Sequence, residues 1–390
     1  MDRDLSALDA FLDEQGVDGY LVRAAGDESD QRYLSGFDAP DPYATLYDGE
    51  IHLLVSSLEY GRARKESAAA TVARHADYGH RAKAEEYGQQ EAGDRVLQAF
   101  LEDHGASEVA VPEAFPVGIA DALRELGTTV TPERDGVMTR IRAVKTDTEI
   151  EHVRTAQQAN ERAMARAEQL IREAEVDGEG RLAHGGEPLT SKRVKREIEM
   201  ELLRADHALD ETIVACGPDA ADPHDRGSGP LRVDQPVIVD IFPRGKESGY
   251  FADMTRTFLK GEPSDTVREW YDLTARAQDA ALAAIEPGVT GAAVHDAVCD
   301  IYEDAGYPTL RSDEATETGF IHSTGHGVGL DIHELPRVAP GGEELEPGNV
   351  ITVEPGLYDP EVGGVRIEDL VVVTEDGYEN LTSYPRELVV

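Results

Sequence analysis

The spacing of apolar and polar positions divides the chain before any composition is considered. Leu5, Leu8, Phe11 and Leu12 recur at helical spacing and predict a short amphipathic helix. Gly19-Tyr20-Leu21-Val22 reads as a strand. Two further runs, 44–47 and 50–56, flank Asp48-Gly49, which predicts a hairpin closed by a two-residue turn. Glu108–Val111 predicts another strand and Ala120–Leu126 another helix. Residues 1–140 therefore read as a self-contained α/β domain. Its histidines, His52, His75, His80 and His104, are scattered along the sequence and read as ordinary surface or core residues.

A boundary falls at 140–146. Thr146 is followed three residues later by Glu149, a capping-box pattern. Ile150, Val153, Ala156, Ala163, Met164, Ala167, Leu170 and Ile171 then keep helical spacing, so a long helix is expected over 147–175, opening a second domain over 146–390. The glycine-rich stretch 176–190 shows no periodicity and reads as a loop, with His184 exposed in it. A helix over 191–206 follows, then mixed strands and helices. No run of βαβ units and no glycine-rich phosphate loop stands out, which argues against a dinucleotide or P-loop enzyme.

Charge narrows the partners. The chain of 390 residues has 78 Asp plus Glu against 37 Lys plus Arg, a formal charge of −41, and only seven of the cations are lysine. Such a field repels nucleic acid and anionic lipid. In molar salt the Debye length falls to about 3 Å and self-repulsion is screened, so the composition points to a salt-adapted, halophilic cytoplasm. No apolar run approaches the ~18 residues that span a membrane. The start, Met1-Asp2-Arg3-Asp4, has no apolar stretch of the secretory kind. Cys216 and Cys299 are too few for a disulfide framework.

The candidate chemistry lies where carboxylates interrupt apolar strands. Asp240 breaks Val237-Ile238-Val239-Asp240-Ile241-Phe242, and Asp253 breaks Tyr250–Phe258. A hairpin through 244–249 would set the two side by side, and adjacent carboxylates need a cation between them. Ile321–Glu334 holds His322, His326 and His333 among glycines; Glu354 and Glu368 follow Val350-Ile351-Thr352-Val353 and Gly364-Val365-Arg366-Ile367. Four carboxylates and an imidazole suit a pair of hard or borderline divalent ions.

The order Asp, Asp, His, Glu, Glu in these motifs resembles the pita-bread-fold metallopeptidases: methionine aminopeptidase, Xaa-Pro aminopeptidase and Xaa-Pro dipeptidase. Arg32-Tyr33-Leu34-Ser35-Gly36-Phe37 is similar to a recurrent stretch of the creatinase-type N-terminal domain in the proline-specific branch. The resemblance implies an α+β architecture, with a pita-bread catalytic domain preceded by a smaller α/β domain. It implies Asp240, Asp253, His326, Glu354 and Glu368 as ligands of two divalent ions (manganese, cobalt, zinc or iron, with manganese favoured). Glu354 would also be the general acid/base, with His333 and His224 beside the scissile bond. His322 and Arg366 would shape the proline-side pocket and order the site. The implied reaction is hydrolysis of the bond between an N-terminal residue and proline, in a peptide or dipeptide, by a metal-bridging hydroxide. A homodimer is also implied. Loop 241–252 is two residues longer than the commoner pattern, which would alter the rim of the site. Three alternatives stand beside this: a methionine-aminopeptidase-like specificity, a creatinase-like amidinohydrolase without metal, and a non-catalytic peptide-binding module on the same fold.

Overall fold

The computed structural model describes residues 3–390; Met1 and Asp2 of the acidic start lie outside them. The chain divides into two compact units, one ending at Arg142 and the other running Ala143–Val390.

The N-terminal unit is built on a six-stranded mixed sheet in the order Thr71–Arg74, Ile51–Val55, Tyr43–Tyr47, Gly19–Ala24, Glu108–Pro112, Thr129–Glu133. Tyr43–Tyr47 runs antiparallel to both neighbours, while the outer pairings are parallel. One core lies between the sheet and the helix Gln89–Asp103, with Leu21, Leu46, Leu54, Val96, Phe100 and Leu123 buried together. Burying this stripe holds the helix; its apolar positions 92, 96, 97, 100 and 101 share one face. The expected hairpin forms, but its register pairs Tyr47 with Ile51, so three residues, Asp48-Gly49-Glu50, make the turn rather than two. Gly49 takes a left-handed φ of 99°, which a side chain at that position would resist. The histidines here are not scattered in space: the tilted rings of His52 and His104 have centroids 4.0 Å apart, and His75 and His80 stack at 5.9 Å. The fold closes sequence gaps that pattern reading leaves open.

The second unit opens on the helix Asp147–Arg172, three residues shorter than expected. The capping box is present: Thr146 Oγ1 accepts from the Glu149 amide, and the Glu149 carboxylate accepts from the Thr146 amide. Residues 176–190 are not a plain loop. Glu175–Val176, Leu182–His184 and Glu187–Pro188 form a small antiparallel meander anchored by buried Leu182 and Leu189. His184 is half-buried in it rather than exposed, because Arg193 donates to its backbone carbonyl (2.8 Å) and holds the edge down.

Two antiparallel sheets carry the rest. Thr212–Cys216, Val237–Ile241 and Met254–Phe258 form one. Five strands form the other, in the order Glu334–Val338, Gly325–Gly327, Val350–Val353, Asp369–Thr374, Gly377–Asn380. The first packs against the helices Asp147–Arg172 and Ser191–Arg204 through Val214, Val239, Met164 and Ile198. The second packs against Asp265–Ala284 and Gly291–Asp304 through Ile351, Val353, Ala277 and Val298. Each half thus has a helix pair outside and strands inside. The halves meet strand to strand: the Glu368 amide donates to the Thr255 carbonyl, and the Arg366 amide to Thr257 Oγ1, each at 3.0 Å. No helix among the described residues is long and apolar enough to cross a membrane.

Candidate metal centre

The strands that meet between the two halves place the acidic residues. Asp240 pairs with Thr255 in the antiparallel register, and Asp253 lies two residues before Thr255. Side chains two apart on a strand share a face, so Asp253 lies diagonal to Asp240 on the inner side. Between them the chain turns back as the expected hairpin, with Arg244 bridging Phe251 and the Gly245 amide donating to the Tyr250 carbonyl (3.0 Å), and its loop also pairs outward. Arg244-Gly245 pairs with His207-Ala208, and the Phe251 amide donates to the Gly329 carbonyl (2.8 Å). The longer loop is therefore pinned to the segment that carries the histidines.

His326 sits between Gly325 and Gly327 in a strand too tightly packed for other residues. A Cβ at position 325 would meet the Thr352 carbonyl oxygen at 2.0 Å, and one at 327 would meet the Leu335 carbonyl oxygen at 2.1 Å. His326 Nδ1 donates to the Gly327 carbonyl (3.1 Å), so that nitrogen carries the proton and Nε2 presents its lone pair. Nε2 lies 3.5 Å from Glu354 Oε1 and 3.8 Å from Asp253 Oδ2. Donor atoms of Asp253, His326 and Glu368 all lie within 4.8 Å of one another. Glu368 is held by Thr255, whose hydroxyl donates to it at 2.8 Å.

The electrostatics of this cluster demand positive charge. Asp240 and Asp253 each keep one buried carboxylate oxygen, Oδ1, with no hydrogen-bond partner. Burial pushes the Asp253 carboxyl well above its usual range, reinforced by Glu368, Asp240 and Glu354. Burial does the same to Glu368, with Glu354 and Asp240 adding to it. Glu354 is pushed up to about 8, mainly by burial, although Arg366 opposes the shift. Burial lowers His326 to about 4, so its imidazole is neutral, as ligation needs. Bare carboxylate oxygens and a bare imidazole nitrogen converging in a dry site fit divalent cations.

Arg366 is tied into the site by its own hydrogen bonds. It is buried, and Nη2 makes an ion pair with Asp240 Oδ2 at 2.7 Å. Its Nε donates to Thr255 Oγ1 (3.2 Å), and Nη1 donates to the Tyr358 hydroxyl (3.0 Å) and the Pro223 carbonyl (3.2 Å). Its donors thus serve the protein itself and set the position of Asp240. His322 is engaged in the same network. Its Nδ1 donates to the Ser323 carbonyl (2.7 Å), so Nε2 accepts from the Tyr358 hydroxyl (2.9 Å). Burial, and next Arg366, hold His322 at about 3, so it is neutral. His333 is exposed and packs edge-on against His326, ring centroids 4.4 Å apart. His224 is exposed on the loop tied down by Arg366 through Pro223, close enough for its charge to lower His322 and His333.

Pattern reading misses Tyr358, Thr255 and Thr352, the last of which accepts from the His326 amide at 3.1 Å. The alternation in Asp253-Met254-Thr255-Arg256-Thr257, with polar positions two apart, is the signal that points Thr255 inward. Lys145 and Glu334 also escape notice, being 189 positions apart in sequence and 2.9 Å apart in space.

The architecture and the cluster define a metallopeptidase built from a creatinase-like first unit and a pita-bread second unit. The chain belongs to metallopeptidase family M24, whose model matches residues 151–375, and its first unit matches the creatinase/prolidase N-terminal domain over residues 5–144. It is similar to the Xaa-Pro dipeptidase of Pyrococcus furiosus, 30% identical over 99% of each chain. It is also similar to the probable dipeptidase PepE of Mycobacterium tuberculosis, 37% identical over 72% of this chain and 68% of that one. Among solved structures, the Xaa-Pro dipeptidase from Bacillus anthracis superposes with a TM-score of 0.83 at 27% identity, covering 99% of both chains. Membership of the family implies divalent metal ions.

Proposed function

We propose that this metallopeptidase is a prolidase: it hydrolyses Xaa-Pro dipeptides, with two divalent ions, manganese favoured, held by Asp240, Asp253, His326, Glu354 and Glu368. The observation that carries the reading is the convergence of partnerless buried carboxylate oxygens with the bare Nε2 of His326. The dipeptidase names of its relatives support the dipeptide over longer substrates.

Divalent ions held there supply Lewis-acid polarisation of the scissile carbonyl and acidify water. The chain does the rest. Asp253 and Glu368 would help hold the ions, while Arg366 fixes Asp240 by its ion pair. Glu354, already pushed toward neutral pH, takes the proton of the attacking water and passes it to the proline nitrogen as the C–N bond breaks. His333 donates toward the carbonyl oxygen as it gains charge, and His224 lies beside the scissile bond. His322 and Tyr358 wall the proline side and keep Arg366 in place. The protein acts as a homodimer in a high-salt cytoplasm.

The test is a substrate panel in molar KCl with manganese: Ala-Pro and Leu-Pro dipeptides, Ala-Pro-Ala, and Met-Ala. Rapid release of proline from dipeptides, with slow cleavage of the tripeptide, is expected. Equal cleavage of dipeptide and tripeptide points to an aminopeptidase, and cleavage of Met-Ala alone refutes proline specificity.

A further inference from the structure

The N-terminal unit gathers a second set of ligating side chains that the peptidase chemistry does not use. Asp48 stands at the tip of the Tyr43–Ile51 hairpin, and His52 is the second residue of the returning strand. His104 follows the last turn of the helix Gln89–Asp103. The sheet and the helix packed on it bring the three together. His52 Nε2 lies 2.9 Å from Asp48 Oδ1, and the two imidazole rings pack with centroids 4.0 Å apart, tilted by 34°. One donor atom from each of the three lies within 4.8 Å of the others.

We propose that Asp48, His52 and His104 form a metal site for one borderline divalent ion of the zinc class. Tetrahedral donors at about 2.1 Å from an ion stand about 3.4 Å apart. The donor atoms, within 4.8 Å of one another, would close by about 1.4 Å at most to reach that spacing. The far nitrogen of His52, Nδ1, is already held 2.8 Å from Thr71 Oγ1, the outer contact that fixes a ligating imidazole. Ligation uses the tautomer in which Nδ1–H donates to Thr71 and Nε2 is bare; without an ion, Nε2–H donates to Asp48 Oδ1 (2.9 Å) and Nδ1 accepts from the Thr71 hydroxyl. His104 packs against Phe100 at 4.8 Å, and burial followed by the His52 neighbour disfavours its charged form, which leaves a neutral ligand. Solvent reaches the site from the Asp48 side, whose side chain is 22% exposed against 6% for His52, leaving room for water as a fourth ligand. Two imidazoles and one carboxylate favour zinc over oxygen-seeking manganese. The competing account is a hairpin staple: Asp48 Oδ1 also accepts from the Glu50 amide at 3.3 Å.

The two accounts separate by counting metal. Full-length protein stripped of metal is dialysed against zinc in molar KCl, and bound zinc per chain is measured for wild type, Asp48→Asn and His104→Gln. Asparagine at 48 keeps the turn's acceptor oxygen, so this variant folds as the wild type does. Each variant is expected to bind one zinc ion fewer per chain, with manganese-supported hydrolysis unchanged. Cobalt in place of zinc should give visible absorption that is weaker in both variants by the contribution of one site. Equal zinc counts in all three proteins, or a cobalt spectrum unaffected by both substitutions, would overturn the proposal.

Discussion

Replacing Lys145 with methionine isolates a buried charge beside the site. Lys145 Nζ and Glu334 Oε2 are 2.9 Å apart and both side chains are 1% exposed. Glu334 also accepts from the Asp331 amide (3.0 Å), so it braces the turn that presents His333. At an effective dielectric of about 20, two charges at that distance attract by about 6 kcal/mol, most of which offsets their desolvation. Removing only the lysine leaves Glu334 charged and buried, which costs about 3–5 kcal/mol. The double variant Lys145→Met/Glu334→Gln removes that charge and should recover most of the loss. Urea unfolding in molar KCl, read by tryptophan fluorescence of Trp270 and by circular dichroism, gives all four corners of the cycle. In folded Lys145→Met the strain at Glu334 should also lower kcat more than it raises KM, because His333 acts on developing charge. A Lys145→Met variant within about 1 kcal/mol of wild type, or a double variant no more stable than the single, would refute the reasoning.

Asp253→Asn should lower bound manganese below two per chain and abolish turnover, checked by elemental analysis and proline release. In the metal-free protein Glu354 titrates at about 8 when folded and near 4.5 when unfolded, so the folded state retains the extra proton. Its stability should be greatest below the ordinary carboxylate range and fall as pH rises through about 8, while manganese should protect most at the alkaline end; thermal melts with and without metal check the sign. His207 is buried, with Nδ1 donating to the Ala205 carbonyl at 2.7 Å. His207→Ala should therefore cost about 1 kcal/mol of stability in urea and leave kcat/KM unchanged. Lowering KCl from molar to millimolar should lower Tm through self-repulsion of the −41 charge, with no such loss when sodium or potassium is held high.

The strands were legible in the sequence because two-residue alternation and apolar runs survive the acidic composition. The ligand candidates were legible for the opposite reason: Asp240 and Asp253 stand where apolar residues belong, and salt adaptation gives an acid no reason to be there. What pattern reading lacked was distance. That Arg366 orders the site by pairing with Asp240, 126 positions away, is visible only once the fold sets them together. Tyr358 is unremarked in sequence, yet its hydroxyl joins His322 to Arg366. The contact of His52 with His104 depends on where a helix end lands on a strand, which no local spacing encodes. The glycine-rich run 176–190 hid a meander because its strands are two or three residues long, too short to show alternation.

The central claim is that the buried carboxylates and His326 work as a metal-dependent prolidase centre. Proline release from Ala-Pro, followed while stripped protein is titrated with manganese in molar KCl, tests it most directly. The account predicts no activity without metal and a rise that saturates as two manganese ions bind per chain. Full activity in the stripped protein, or no proline released at any manganese occupancy, would contradict it.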